Sequence, residues 1–157
     1  MIENPGKLID YTKYLSIPYK INGSSWNGAD CWGLVKIIAK EEFGIELPNQ
    51  YSMKGWQVTS DDLDMTSPVS KVCNDWYEII NEPRRNSFGL CNMCGLHAVW
   101  FIEPHLTIEM LEDVGAYVCR NNIHPRYIRY YGLKINANAA RSPRVSSRIA
   151  SAAAKTA

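Results

Sequence analysis

No apolar run in this chain approaches the ~20 residues that cross a bilayer, which excludes a membrane bundle. The opening residues, Met1 to Gly6, lack the basic-then-apolar pattern of an export signal, so export by that route is not expected. Neither sign of charge dominates. Seventeen Lys and Arg face 16 Asp and Glu, for a net charge of +1. The whole molecule therefore lacks the electrostatic footprint of a nucleic-acid binder. Histidine is scarce, with three in all, and no internal repeat is visible. What remains is 157 residues, 46% of them apolar, enough for one domain and little more.

The even charge balance conceals an asymmetry. Residues 134–157 hold five bases (Lys134, Arg141, Arg144, Arg148, Lys155), eight alanines and no acid. The first 133 residues then carry 12 bases against 16 acids, a net of −4. The last 24 residues have too few large apolar groups to build a core and read as a basic Ala/Ser-rich tail. The expected organisation is a working domain over 1–133 and a tail over 134–157.

Five cysteines, an odd number, with no export signal argue for reduced thiols. Cys91 and Cys94 form a C-x-x-C, with His97 three residues on. Zinc normally takes four ligands, and no second C-x-x-C or H-x-x-x-H lies nearby. A redox pair would open a helix after a strand, whereas this stretch reads as strand. Zinc and redox readings stay open, but plain buried thiols fit the pattern best.

Spacing predicts a helix over 5–15, capped by Asn4 with Pro5 at its first position. A polar, Gly-containing loop follows over 22–28. Asp30 can then cap a helix over 31–43, with Cys31, Leu34, Val35 and Ile38 on one face, Gly44 as its stop and Pro48 preventing resumption. A short helix is expected over 69–75. Beyond Trp76 the period changes to two, predicting strands over 76–80, 88–93, 96–102, 105–110, 116–119 and 127–133. Helices first and strands second imply an α+β fold with an antiparallel sheet.

Cys31 falls at the first turn of its helix. There the unpaired N–H groups and the macrodipole favour a thiolate, the nucleophile that acyl transfer needs. The alternative is a small residue packed on the sheet. His97 opens a strand and shares a face with Val99 and Phe101. Glu103-Pro104 marks the next turn. A three-residue loop over 102–104 would pair Phe101 with His105, Val99 with Thr107 and His97 with Glu109. Opposed residues have Cβ atoms ~5 Å apart, so the carboxylate would reach the imidazole. A two-residue loop would instead oppose His97 to Ile108 or Met110 and separate the pair. The first register permits a Cys31–His97–Glu109 arrangement of nucleophile, base and orienting group. His105, at the turn, and His124, before Pro125, read more simply as surface histidines. Tyr19, twelve residues before Cys31, is either a core aromatic or a hydroxyl folded over the helix start.

Three stretches together resemble the NlpC/P60 cysteine peptidases, and most of all their phage tail-tip branch. They are Pro18-Tyr19-Lys20-Ile21-Asn22-Gly23, Gly28-Ala29-Asp30-Cys31-Trp32-Gly33-Leu34-Val35, and Glu41-Glu42-Phe43-Gly44-Ile45-Glu46-Leu47-Pro48. Leu96-His97-Ala98-Val99-Trp100 resembles the family's His-Val strand. Glu109 to Gly115 lines up with its third catalytic position, usually His. The closing Arg126 to Gly132 resembles its last strand. Asn22-Gly23 stands where the family has Gly-Gly, and Trp100 where it has a smaller residue. The similarity spans roughly 5–133.

The resemblance implies a papain-like NlpC/P60 α+β fold, with N-terminal helices and the nucleophile helix packed on an antiparallel sheet. It implies hydrolysis of peptidoglycan stem peptides, usually next to D-glutamate, at a virion tail tip during genome entry. Cys31 would be the nucleophile, His97 the base, Glu109 its orienting partner and Tyr19 an oxyanion donor. No cofactor, metal or membrane is implied. The partners are stem peptides and other tail-tip proteins, the latter through the basic tail. A structural tail-tip component that keeps the fold without catalysis is the alternative.

Overall fold

The computed structural model describes residues 4–48, 76–92, 96–120 and 127–134. A short hairpin, β1 (Ser24–Ser25) and β2 (Gly28–Ala29), leads into helix α1 (Cys31–Phe43). Six strands follow: β3 (Tyr77–Ile80), β4 (Ser87–Asn92), β5 (Leu96–Glu103), β6 (Leu106–Leu111), β7 (Gly115–Arg120) and β8 (Tyr127–Leu133). They form one sheet in the order β3-β8-β4-β5-β6-β7, with every neighbouring pair antiparallel. The architecture is α+β, one helix against an antiparallel sheet.

The helix forms where the sequence places its signals. Asp30 is the N-cap, its Oδ1 accepting from the Gly33 N–H at 2.7 Å. Gly44 ends the helix in the left-handed conformation, φ 67°, which costs glycine least. Leu34, Val35, Ile38 and Ala39 are buried against Phe88, Leu90, Ala98, Trp100, Ile108 and Met110, alternate residues of β4, β5 and β6. Trp100 is fully buried, stacks on Phe43 at 6.2 Å, and donates from Nε1 to the Tyr11 hydroxyl at 2.8 Å. Burying a side chain of this size stabilises by ~1.5–3 kcal/mol, more than its single net hydrogen bond.

The helix expected over 5–15 does not form. The segment is largely irregular, with a 3-10 turn at Thr12–Tyr14. Side chains from the strand end compete for its backbone. Asn86 Nδ2 donates to the Pro5 and Lys7 carbonyls at 2.9 Å each, and Arg85 Nη1 to that of Gly6 at 3.0 Å. A helix would need those carbonyls for its own N–H groups. Tyr11, bonded to Asn86 Oδ1 at 2.9 Å, joins the same buried network. The fold therefore has one α-helix among the described residues rather than several N-terminal ones. The polar loop over 22–28 forms most of the β1–β2 hairpin, which Ser24 closes opposite Ala29. The short helix expected over 69–75 lies outside the described residues, as does the tail from 135.

The expected β5–β6 register is off by two. Phe101 pairs with Thr107, not His105, and Trp100 with Ile108. The connection is a two-residue turn, Pro104-His105, closed by Glu103 and Leu106. Taken alone, that turn would put His97 and Glu109 on opposite faces. A bulge between Phe101 and Glu103 adds one residue and restores the parity.

Candidate active site

Cys31 is half-buried at the first position of α1, and its sulfur is a thiol rather than half of a disulfide. The loop before it is held tightly. Asp30 Oδ2 accepts from the Asn22 N–H at 3.2 Å while Oδ1 caps the helix, so one carboxylate joins loop and helix. The Asp30 N–H donates to the Gly23 carbonyl at 3.1 Å. Gly33 faces that same carbonyl so closely that a Cβ would lie 1.9 Å from its oxygen. Glycine is required there for the approach of backbone to backbone. Asn22 takes a left-handed conformation, φ 57°, which asparagine tolerates.

His97 is buried on β5, and its Nε2–H donates to Glu109 Oε1 on β6 at 3.0 Å. Continuing the observed register sets Glu109 opposite Val99, so the pair meets diagonally on one face. The Cys31 side chain is also hydrogen-bonded to His97. With Nε2 held by Glu109, Nδ1 is the nitrogen left for the thiol. Burial pulls the imidazole down. The hydrogen bonds and charges of Cys31 and Glu109 outweigh it and raise His97 to about 9. Burial pushes the Glu109 carboxyl up. Hydrogen bonds from His97 and Thr107, with the His97 charge, outweigh it and hold the group below its usual range. A cationic imidazole and an ionised carboxylate thus support each other in a nearly dry site.

A search of protein families finds no matching family model, and a search of curated proteins finds no match. Among solved structures the chain is similar to the NlpC/p60 domain of the peptidoglycan hydrolase SagA. The TM-score is 0.49 and the identity 12%, over 78% of this chain and 91% of that one.

Of the four residues expected in catalysis, three, Cys31, His97 and Glu109, are linked by hydrogen bonds. Tyr19 is half-buried against the core, and its backbone bridges in parallel to Ala29, two residues before Cys31. His105 lies in the β5–β6 turn and is exposed, away from hydrogen-bonded Glu109. His124 is outside the described residues. Of the C-x-x-C, Cys91 is buried in β4 directly opposite His97, and Cys94 is outside the described residues. One residue went unremarked as a site group. Thr107, fully buried, donates from Oγ1 to Glu109 Oε2 at 2.6 Å. Its signal was present, since residues two apart on a strand share a face.

Proposed function

We propose that this domain is a cysteine peptidase acting on peptidoglycan stem peptides. The observation that carries the reading is the hydrogen-bonded sequence Cys31, His97, Glu109 at the N-terminal end of α1. A thiol, an imidazole and an orienting carboxylate in series are the parts that amide cleavage through a thioester needs. His97 takes the thiol proton before the attack, giving a thiolate–imidazolium pair, and Cys31 Sγ then attacks the amide carbonyl. The tetrahedral intermediate collapses, His97 returns the proton to the leaving amine, and a thioester remains. Water, deprotonated by His97, then releases the acid and regenerates the thiol. Glu109 fixes the ring through Nε2 and favours its cationic form. The Cys31 N–H, at the positive end of α1, and the Tyr19 hydroxyl would face the oxyanion.

The substrate class and the setting rest on the sequence resemblance around Cys31. We place the protein at a phage tail tip, opening the cell wall for genome entry. The basic tail would bind an acidic face of a neighbouring tail-tip protein. The test is digestion of purified muropeptides read by mass spectrometry. Wild type is expected to release stem-peptide fragments, and Cys31→Ala to release none while remaining folded. Fragments from pure, folded Cys31→Ala would remove the mechanism.

A further inference from the structure

Glu109 is a long side chain in a buried setting, and one hydrogen bond to His97 leaves its carboxylate free to turn about its last bond. Its second oxygen decides whether it does. Oε2 accepts from Thr107 Oγ1 at 2.6 Å, while Oε1 accepts from His97 Nε2 at 3.0 Å. A hydroxyl has one proton to give. The other acceptor within reach of Thr107 Oγ1 is the Cys119 carbonyl at 3.4 Å, so the proton goes to the much closer carboxylate. Thr107 is itself rigidly placed. It is fully buried, β-branched, and flanked in the sheet by Phe101 on β5 and Cys119 on β7.

We infer that Thr107 is a positioning residue, whose hydroxyl locks the Glu109 carboxylate in the orientation that serves His97. It touches neither substrate nor the reacting atoms, and it acts through Glu109. Charge-assisted O–H···O⁻ bonds of this length are among the stronger ones in proteins. The bond also lowers the proton affinity of Glu109, which keeps the carboxylate ionised under acidic conditions. The groups around this pair are His97 from β5, Cys31 from α1 through His97, Cys91 from β4 opposite His97, and Tyr117 and Cys119 from β7. None of these five is changed by a substitution at 107.

The catalytic consequence rests on the peptidase reading, but the hydrogen bond itself does not. The experiment therefore has two readouts on the full chain, for wild type, Thr107→Val and Thr107→Ser. The first is the titration of the Glu109 carboxyl by carbon NMR. Thr107→Val keeps the shape and removes the donor, so Glu109 is expected to take up its proton at higher pH than in wild type. Thr107→Ser restores the donor and is expected to return the midpoint to the wild-type value. The second is muropeptide hydrolysis. Thr107→Val is expected to lower kcat roughly tenfold, on the order of one hydrogen bond to a charged group, with little change in KM. Thr107→Ser is expected to recover most of it. An unchanged Glu109 midpoint in Thr107→Val overturns the inference, and so does a Ser variant as impaired as Val. If wild type cleaves no muropeptide, the peptidase reading fails while the NMR titration still decides the role of Thr107.

Discussion

His97 is held by two different partners, and each can be removed separately. Glu109→Gln keeps an oxygen that can accept the Nε2–H, and its amide can donate to Thr107, whose hydroxyl also accepts. The geometry is expected to survive, while the charge that favours imidazolium is lost. Turnover of Glu109→Gln is therefore expected to fall much less than that of His97→Ala, which loses the proton carrier and ~10²–10⁴-fold in rate. The pH profile supplies the sign. A base raised to about 9 keeps its proton below that pH and loses it above, so the leaving amine lacks its donor on the alkaline side. Removing the Glu109 charge lowers His97 toward its ordinary 6.5, and the alkaline limb of kcat moves to lower pH. Rates measured from pH 5 to 10 check this. A limb that stays in place would separate Glu109 from the proton chemistry.

At the scale of elements, the site depends on how loop 20–30 lies on the start of α1. Gly33 sits in a helix, where alanine is preferred over glycine by ~1 kcal/mol. Propensity alone would make Gly33→Ala stabilising. The clash decides otherwise, because a methyl 1.9 Å from the Gly23 carbonyl must push the loop away, at ~1–3 kcal/mol. Gly33→Ala is expected to lower the melting temperature and to reduce turnover, since the loop carries Asp30 and precedes Cys31. A melting temperature at or above wild type would show that the loop gives way freely. The nucleophile helix was legible because cap, periodicity and stop all agreed over 31–43. The six strands were legible from their alternation, within one or two residues at their ends. The first helix misled because its apolar spacing says nothing of Asn86 and Arg85, some 80 residues on, which take its carbonyls. The β5–β6 register misled because a bulge leaves no compositional mark. His97 and Glu109 still met, because a two-residue error preserves the face of a strand.

At the scale of the whole molecule, β3 lies at one edge of the sheet with β8 beside it. The Lys134 N–H donates to the Trp76 carbonyl at 2.9 Å, tying the end of β8 to the start of β3. Residues 135–157 are poor in large apolar groups, a composition that supplies little core burial. Deletion of 135–157 is expected to leave the melting temperature of the domain unchanged and, under the proposed tail-tip docking, to impair assembly into particles. A large drop in melting temperature would make those residues part of the fold, and normal assembly would remove the docking proposal. The central claim, that Cys31 is a nucleophile served by His97 and Glu109, has a more direct measurement. Alkylation needs the thiolate, which an imidazolium beside Cys31 can pair. Labelling with an iodoacetamide reporter at mildly acidic pH, mapped by mass spectrometry, compares Cys31 with the other four thiols. The account predicts that Cys31 reacts well ahead of them in wild type and falls back among them in His97→Ala. Equal labelling of all five in wild type, or an undiminished lead in His97→Ala, would contradict it.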